Sequence, residues 1–218
     1  MRKLEECRFY GFIDEAYRHG RSFESLAKAL CDGGVDIIQL RMKGANSASI
    51  LEAASLIHPI TSAAGVYLVI NDELEVASQM PDAFLHLGQE DFFDTGYQTM
   101  GDLKPFNQRT DLKLGLSTHA PDQAKKAISA GADYVAIGPV FATPTKPTAN
   151  PVTLEYVQWA SKNITIPWFC IGGINLNNLD EVLQAGAQRI CVVSAILNAA
   201  DIEKECVKYR SKLEAHLG

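Results

Sequence analysis

The chain has 218 residues, of which 47% are hydrophobic and 21% charged, with a formal net charge of −6. That length accommodates one α/β barrel, and the apolar share excludes a disordered chain. The negative balance argues against a general nucleic-acid binder, because phosphate backbones select basic surfaces.

No apolar run approaches the roughly 20 residues that span a bilayer. The start, Met1-Arg2-Lys3-Leu4-Glu5-Glu6, carries acids where a signal peptide would turn apolar. Five cysteines, Cys7, Cys31, Cys170, Cys191 and Cys206, include no C-x-x-C pair. They read as small buried hydrophobes in a reducing compartment, so a cytoplasmic location is expected, with no membrane or nucleic-acid partner. Nothing in the sequence specifies an oligomeric state.

The elements alternate from the outset. A strand is expected at residues 9–13, a helix at 23–31, a strand at 36–40 and a long helix at 47–63. A strand at 66–70, a helix at 73–79 and a strand at 83–86 follow, and the span 92–111 reads as a short helix plus a loop. The second half continues with strands at 113–116, 134–137, 167–171 and 190–193. Helices at 122–130, 154–161 and 177–185 separate them, and one at 201–215 closes the chain.

One phrase recurs in residues 26–41, 124–139 and 179–194: a helical stretch ends in Gly and a β-branched run follows. Gly34, Gly131 and Gly186 stand where the helix exit needs a left-handed backbone. The runs behind them, such as Tyr134-Val135-Ala136-Ile137, are nearly continuously apolar, as strands covered on both faces are. Eight strands alternating with helices predict a closed (β/α)8 TIM barrel, one domain over residues 1–218. An open doubly wound sheet usually has fewer strands, and no G-x-G-x-x-G follows the first strand.

Barrel enzymes build their sites at the C-terminal ends of the strands. Behind the second run, strand alternation puts Gln39, Arg41 and Lys43 on one side. The third run ends in Asn71-Asp72, the fourth leads through His86 to Asp91, and the fifth ends in Ser117-Thr118-His119. The sixth leads into Thr143-Pro144-Thr145-Lys146, the seventh into Gly172-Gly173 and the eighth into Val193-Ser194. Singly, each has a plainer reading: Asn71-Asp72 as a helix cap, His86 or His119 as a structural polar group, the proline stretch as a stiffened loop. Jointly they suit a polyanion. Arg and Lys donate to phosphate oxygens, Asp72 and Asp91 suit a hard Mg2+, and the glycine turn resembles a barrel phosphate cup.

In this order, Q-L-R-M-K, N-D, H-L-G-Q-E-D, G-L-S-T-H, G-A-D-Y-V-A-I-G-P-V-F-A-T-P-T-K, I-G-G-I and V-V-S-A-I strongly resemble the thiamine-phosphate synthase family, over residues 10–197. The resemblance implies a (β/α)8 barrel and two small-molecule substrates. They are 4-amino-2-methyl-5-hydroxymethylpyrimidine diphosphate and 4-methyl-5-(2-phosphooxyethyl)thiazole, and the products are thiamine monophosphate and pyrophosphate. It further implies that Gln39, Arg41, Lys43, Asn71, His86, Ser117 and Lys146 bind the pyrimidine diphosphate. Arg41, Lys43, Ser117 and Lys146 are the catalytic members of that set. Asp72 and Asp91 would hold Mg2+, and Thr143, Thr145, Gly173, Val193 and Ser194 the thiazole phosphate.

The family reaction begins with departure of pyrophosphate from the pyrimidine methylene. It therefore needs no general base, in keeping with the lack of a Ser–His–Asp or Cys–His arrangement in the motifs. The chain departs from the family at Ile13, where Thr usually precedes Asp14, and at Thr153, where Gly usually precedes Leu-Glu. The stretch from Asp91 to Gly115 is longer than usual, and the arginine often found there is not identified in it. Two other readings remain: a thiazole tautomerase of the same superfamily using His119, and a non-catalytic regulator of the thiamine pathway. Asp91 and the T-P-T-K run favour the synthase, because they serve a metal and a diphosphate.

Overall fold

In the computed structural model, which describes residues 2–106, 111–145 and 150–217, eight parallel strands pair in sequence order and β8 closes back on β1. They are β1 (Phe9–Asp14), β2 (Ile37–Arg41), β3 (Tyr67–Asn71), β4 (Phe84–Gly88), β5 (Leu114–Thr118), β6 (Tyr134–Ile137), β7 (Trp168–Ile171) and β8 (Ile190–Cys191). The first half carries helices α1 (Phe23–Asp32), α2 (Ser47–Ala64), α3 (Leu74–Gln79) and α4 (Gln89–Asp94). The second half carries α5 (Pro121–Ser129), α6 (Thr153–Asn163), α7 (Leu179–Gln184), α8 (Ser194–Leu197) and α9 (Ile202–Leu217). The architecture is a (β/α)8 barrel, as the sequence pattern predicts.

Local signals explain the boundaries. Ser22 caps α1 by accepting the Ser25 amide at 3.1 Å, and Asn46 caps α2 by accepting that of Ser49 at 2.9 Å. Gly34, Gly131 and Gly186 have φ of 85°, 91° and 102°, the left-handed exits expected after α1, α5 and α7. Several boundaries differ from expectation by one or more residues. The last strand stops at Cys191, because Val193 turns to φ −116°, ψ −89° and starts the short α8, although Val192 N still donates to Tyr10 O at 3.0 Å. Helix α3 begins at Leu74, since Glu73 is not helical. The span 92–111 contains the end of α4, which starts as soon as β4 ends, and a 3-10 helix at Met100–Phe106.

Apolar residues on both faces of the strands make two cores. Outward-facing Phe9 and Ile13 pack under the helices with Leu26 and Leu30, all fully buried. Inside the barrel, Tyr10 of β1 meets Phe169 of β7 edge-on at 5.3 Å, and Phe169 meets Tyr134 of β6 at 5.7 Å. Since β1 and β6 are not neighbours in the ring, Tyr10 and Tyr134 meet across the barrel.

At the N-terminal end, buried Asp36 accepts the amides of Arg8 and Phe9 at 2.7 and 3.0 Å. It also pairs with Arg2 and with Arg210 of α9, at 2.7 and 2.8 Å. This staple ties both chain ends to the floor of the barrel, opposite the face where barrel sites form. No helix among the described residues is long and apolar enough to cross a membrane.

Candidate active site

Strand parity builds the site. Tyr10, Phe12 and Asp14 alternate inward on β1, and Gln39 and Arg41 do so on β2. Asn71 and His86 are register partners on β3 and β4, and Gly88 pairs with Ser117 on β4 and β5. One cavity of about 120 Å³ opens at the C-terminal strand ends. Gln39, Arg41, Lys43, Asn71, Asp72, His86, Asp91, Ser117, Thr143, Thr145, Gly173, Val193 and Ser194 all line it, as does His119. The remaining candidate from the sequence, Lys146, lies outside the described residues.

Ion pairs hold both strand-end cations of the mouth. Arg41 Nη1 donates to Asp14 Oδ2 at 2.7 Å, and Lys43 Nζ donates to Asp72 Oδ2. Asp14 is buried and also accepts the Ala16 amide at 3.0 Å, which starts the 3-10 turn Glu15–Tyr17. At the end of that turn the Tyr17 hydroxyl lies 3.3 Å from Thr145 Oγ1, so the loop after β1 touches the loop after β6. Asp72 has φ 65°, a left-handed backbone that Asp tolerates better than most residues. Asp91, in the first turn of α4, folds back beside Gly88, where its Oδ2 lies 2.6 Å from the position of a glycine Cβ. Among the described residues, no three or more His, Cys, Asp or Glu side chains form a group able to hold a metal.

The turn after β7 sits on tightly packed backbone. Gly172 and Gly173 have φ of 101° and 66°. A Cβ on Gly172 would lie 2.3 Å from Pro139 Cβ, and one on Gly173 would lie 2.6 Å from Ala142 O. Only glycine fits both the angle and the gap. Hydrogen bonds from Val140 N to Ile171 O (2.9 Å) and Phe141 N to Gly172 O (3.1 Å) extend the β6–β7 pairing past the strands. That seam carries the loop with Thr143 and Thr145 to the mouth. His119 Nδ1 donates to Gly138 O.

The motifs gave no Ser–His–Asp or Cys–His arrangement, and the fold adds a Ser–His pair, with His86 Nε2 2.8 Å from Ser117 Oγ. The other ring nitrogen, Nδ1, meets the Tyr134 hydroxyl at 3.0 Å and not a carboxylate. A hydrolytic triad has a carboxylate there to stabilise imidazolium, and here a phenol stands at that nitrogen. Cys191 also lines the cavity, but burial pushes its thiol well above the ordinary value, so it stays protonated and unreactive.

Sequence reasoning missed Asp14, Tyr10 and Tyr134. The period-two face Tyr10-Phe12-Asp14 was a usable signal for the first two, because a charge at the end of an inward face needs a partner.

The deciding comparison is with known families: a family model described as thiamine monophosphate synthase matches residues 9–196. The chain belongs to the thiamine monophosphate synthase family. Its activity is that of a thiamine-phosphate synthase, a transferase. The thiamine-phosphate synthase of Halalkalibacterium halodurans is 36% identical over 213 residues, 97% of each chain. That of Thermus thermophilus is 40% identical over 184 residues, 83% of this chain and 84% of its own. Thiamine phosphate pyrophosphorylase from Pyrococcus furiosus has a TM-score of 0.85 and 29% identity, with 99% of both chains covered. A geranylgeranylglyceryl phosphate synthase from Thermoplasma acidophilum, with a TM-score of 0.72 over 98% of this chain and 96% of its own at 15% identity, shares the fold alone.

Against this thiamine-phosphate synthase pattern, Ile13 is fully buried and packs under the helices, not in the mouth. Thr153 opens α6 at φ 63°, a backbone angle that explains why glycine is usual there.

Proposed function

We propose that this synthase joins 4-amino-2-methyl-5-hydroxymethylpyrimidine diphosphate to 4-methyl-5-(2-phosphooxyethyl)thiazole in the mouth cavity, releasing pyrophosphate. The observation that carries this reading is two anion-suited sets on adjacent arcs of one ring. Arg41, Lys43, Asn71 and Ser117 come from β2 to β5, and Thr143, Thr145, Gly173 and Ser194 come from β6 to β8.

Arg41 and Lys43 of the first arc receive the diphosphate, Ser117 donates to it, and Lys146 is assigned to the same group. Asn71 completes that cradle, and Gln39 and His86 take the pyrimidine end of the same substrate. The second arc, completed by Val193, takes the single phosphate of the thiazole. Two carboxylates with phosphate oxygens and water form a donor set that Mg2+ accepts, so Asp72 and Asp91 fit it. When bound, Mg2+ neutralises charge on the diphosphate as it leaves.

The chemistry asks little else of the chain. The C–O bond to the diphosphate breaks with its electrons going to pyrophosphate, and the aminopyrimidine ring spreads the positive charge left on the methylene. The thiazole nitrogen closes the C–N bond with its own lone pair, so no proton has to be removed. Arg41 and Lys43 act by meeting the charge that develops on the leaving oxygens. The residues act as one domain, and five free cysteines support a reducing, cytoplasmic setting.

The test is direct. The purified protein is mixed with both substrates and Mg2+, and thiamine monophosphate and pyrophosphate are followed together. Equal amounts of both products, formed only when both substrates are present, are the expected result. Isomerisation of the thiazole without condensation would point to His119 and a tautomerase, and binding without turnover to a regulator.

A further inference from the structure

Below the mouth runs a buried chain of hydrogen bonds. Gln39 Nε2 donates to the Tyr10 hydroxyl at 2.6 Å, Tyr10 and Tyr134 hydroxyls are 3.0 Å apart, and Tyr134 is 3.0 Å from His86 Nδ1. His86 Nε2 then reaches Ser117 Oγ at 2.8 Å. Both phenols and Gln39 are 2% exposed or less, and His86 is 6% exposed.

The chain has a direction. An amide nitrogen only donates, so the Tyr10 oxygen accepts from Gln39 and its own proton is free for Tyr134. The Tyr134 oxygen accepts that proton, and of its two hydrogen-bonding neighbours His86 Nδ1 is the one left to accept the Tyr134 proton. A ring whose Nδ1 accepts is neutral and carries its hydrogen on Nε2, which donates to Ser117. Burial pushes both phenols well above their ordinary value of 10.0, so neither gives up its proton at neutral pH. Gly115 makes the contact possible. It lies between His86 and Tyr134 in the register, and a Cβ there would be 2.4 Å from the Tyr134 hydroxyl oxygen.

We propose that Tyr134 is a positioning residue: it holds His86 as the Nε2–H tautomer, so that Ser117 accepts from His86 and turns its own hydroxyl proton toward the ligand. This polarity is the reverse of a hydrolytic Ser–His pair, where the histidine accepts the serine proton. Ser117 becomes a donor to an anion and not a nucleophile. The last step rests on the functional reading above, in which that anion is the diphosphate.

The experiment has two arms. In ligand-free protein labelled with 15N-histidine, two-bond proton–nitrogen spectra report which nitrogen of each ring carries hydrogen, and the His86 signals are those lost in His86→Asn. A proton on Nε2 alone is expected. A proton on Nδ1 overturns the inference, whatever the activity, and is what a reversed Gln39 amide would produce. In the second arm, Tyr134→Phe keeps the ring and removes the hydroxyl. The His86 tautomer preference should be lost and kcat should fall about tenfold, the weight of one hydrogen bond. KM for the thiazole phosphate should stay within about twofold, because the relay ends at Ser117. In a Ser117→Ala background the same change should have no further effect on kcat. An unchanged tautomer or kcat in Tyr134→Phe, or additive losses in the double variant, would sink the proposal. An Nε2–H ring in a protein that makes no thiamine phosphate would instead reject the functional reading and leave the relay in place.

Discussion

The buried Asp14 carboxylate holds the Arg41 guanidinium at 2.7 Å, and the two are register partners on β1 and β2. The pair aims a cation into the mouth from a strand end, while the same carboxylate starts the turn that carries Tyr17 to Thr145. Asp14 thereby links the residue proposed for the diphosphate to the loop proposed for the thiazole phosphate. Replacing it by Ala leaves Arg41 free to move. Asp14→Ala is expected to raise KM for the pyrimidine diphosphate about tenfold and to cost about 1–3 kcal/mol of stability. Steady-state kinetics and urea unfolding read the two effects. Equal rises in KM for both substrates would reject a specific anchor for Arg41.

Asp91 is exposed in the first turn of α4, with its carboxylate beside Gly88. Its removal should leave the fold within about 1 kcal/mol of the parent. Asp91→Ala is nonetheless expected to abolish Mg2+-dependent turnover. Rate measured against Mg2+ concentration is the check, and an unchanged curve would dismiss Asp91 as a ligand.

Gly115 is the gap into which the Tyr134 ring leans, and a Cβ on this glycine would lie 2.1 Å from Tyr134 Cζ. Gly115→Ala should therefore cost about 1–3 kcal/mol by overpacking, and it should also lower kcat by displacing Tyr134 from His86. Thermal unfolding and turnover measured on one preparation test this. A stable variant with full activity would show that the ring has another place to go.

Thr153 has a β-branched side chain at φ 63°, and its hydroxyl gains only a 3.4 Å contact from the Glu155 amide. Relief of this angle should outweigh the extra freedom of glycine in the unfolded chain. Thr153→Gly is expected to stabilise by about 1 kcal/mol and raise Tm by about 2–4 °C, with kcat unchanged. Calorimetry decides it, and a lower Tm would count against strain at this position.

Burial raises several thiols and phenols together. Cys31 is pushed up to about 11 and Cys7, Cys206 and Tyr156 to about 12, from ordinary values of 9.0 for thiols and 10.0 for the phenol. Above those ordinary values the unfolded chain loses protons that the folded chain keeps, so stability falls as pH rises. The loss should begin near pH 9 and continue through about 12. Urea midpoints measured at intervals from pH 8 upward would show the decline, and a flat profile would contradict it.

Much of the barrel is visible in the chain because its signals are local. Helix, Gly34 and then Val35–Leu40 form a phrase that short-range sterics enforce, and apolar runs with no alternating polar face mean strands covered on both sides. The short β8 was less legible, since a two-residue strand ends where Val193 turns, and that turn depends on the neighbouring loops. The gathering of Gln39, Arg41, Asn71, His86 and Ser117 also follows from local information. Period-two alternation fixes which side chains face inward, and a parallel barrel puts all strand ends at one rim.

By itself, then, the order of residues determined the barrel, the rim and the family, because backbone sterics and hydrophobic periodicity act between near neighbours. The tertiary structure alone decided what meets across the interior: Tyr10 with Tyr134, Tyr134 with His86 over Gly115, and Tyr17 with Thr145. Those contacts depend on how far each strand is staggered as the sheet closes, a quantity summed over all eight strands and carried by no single stretch of the chain.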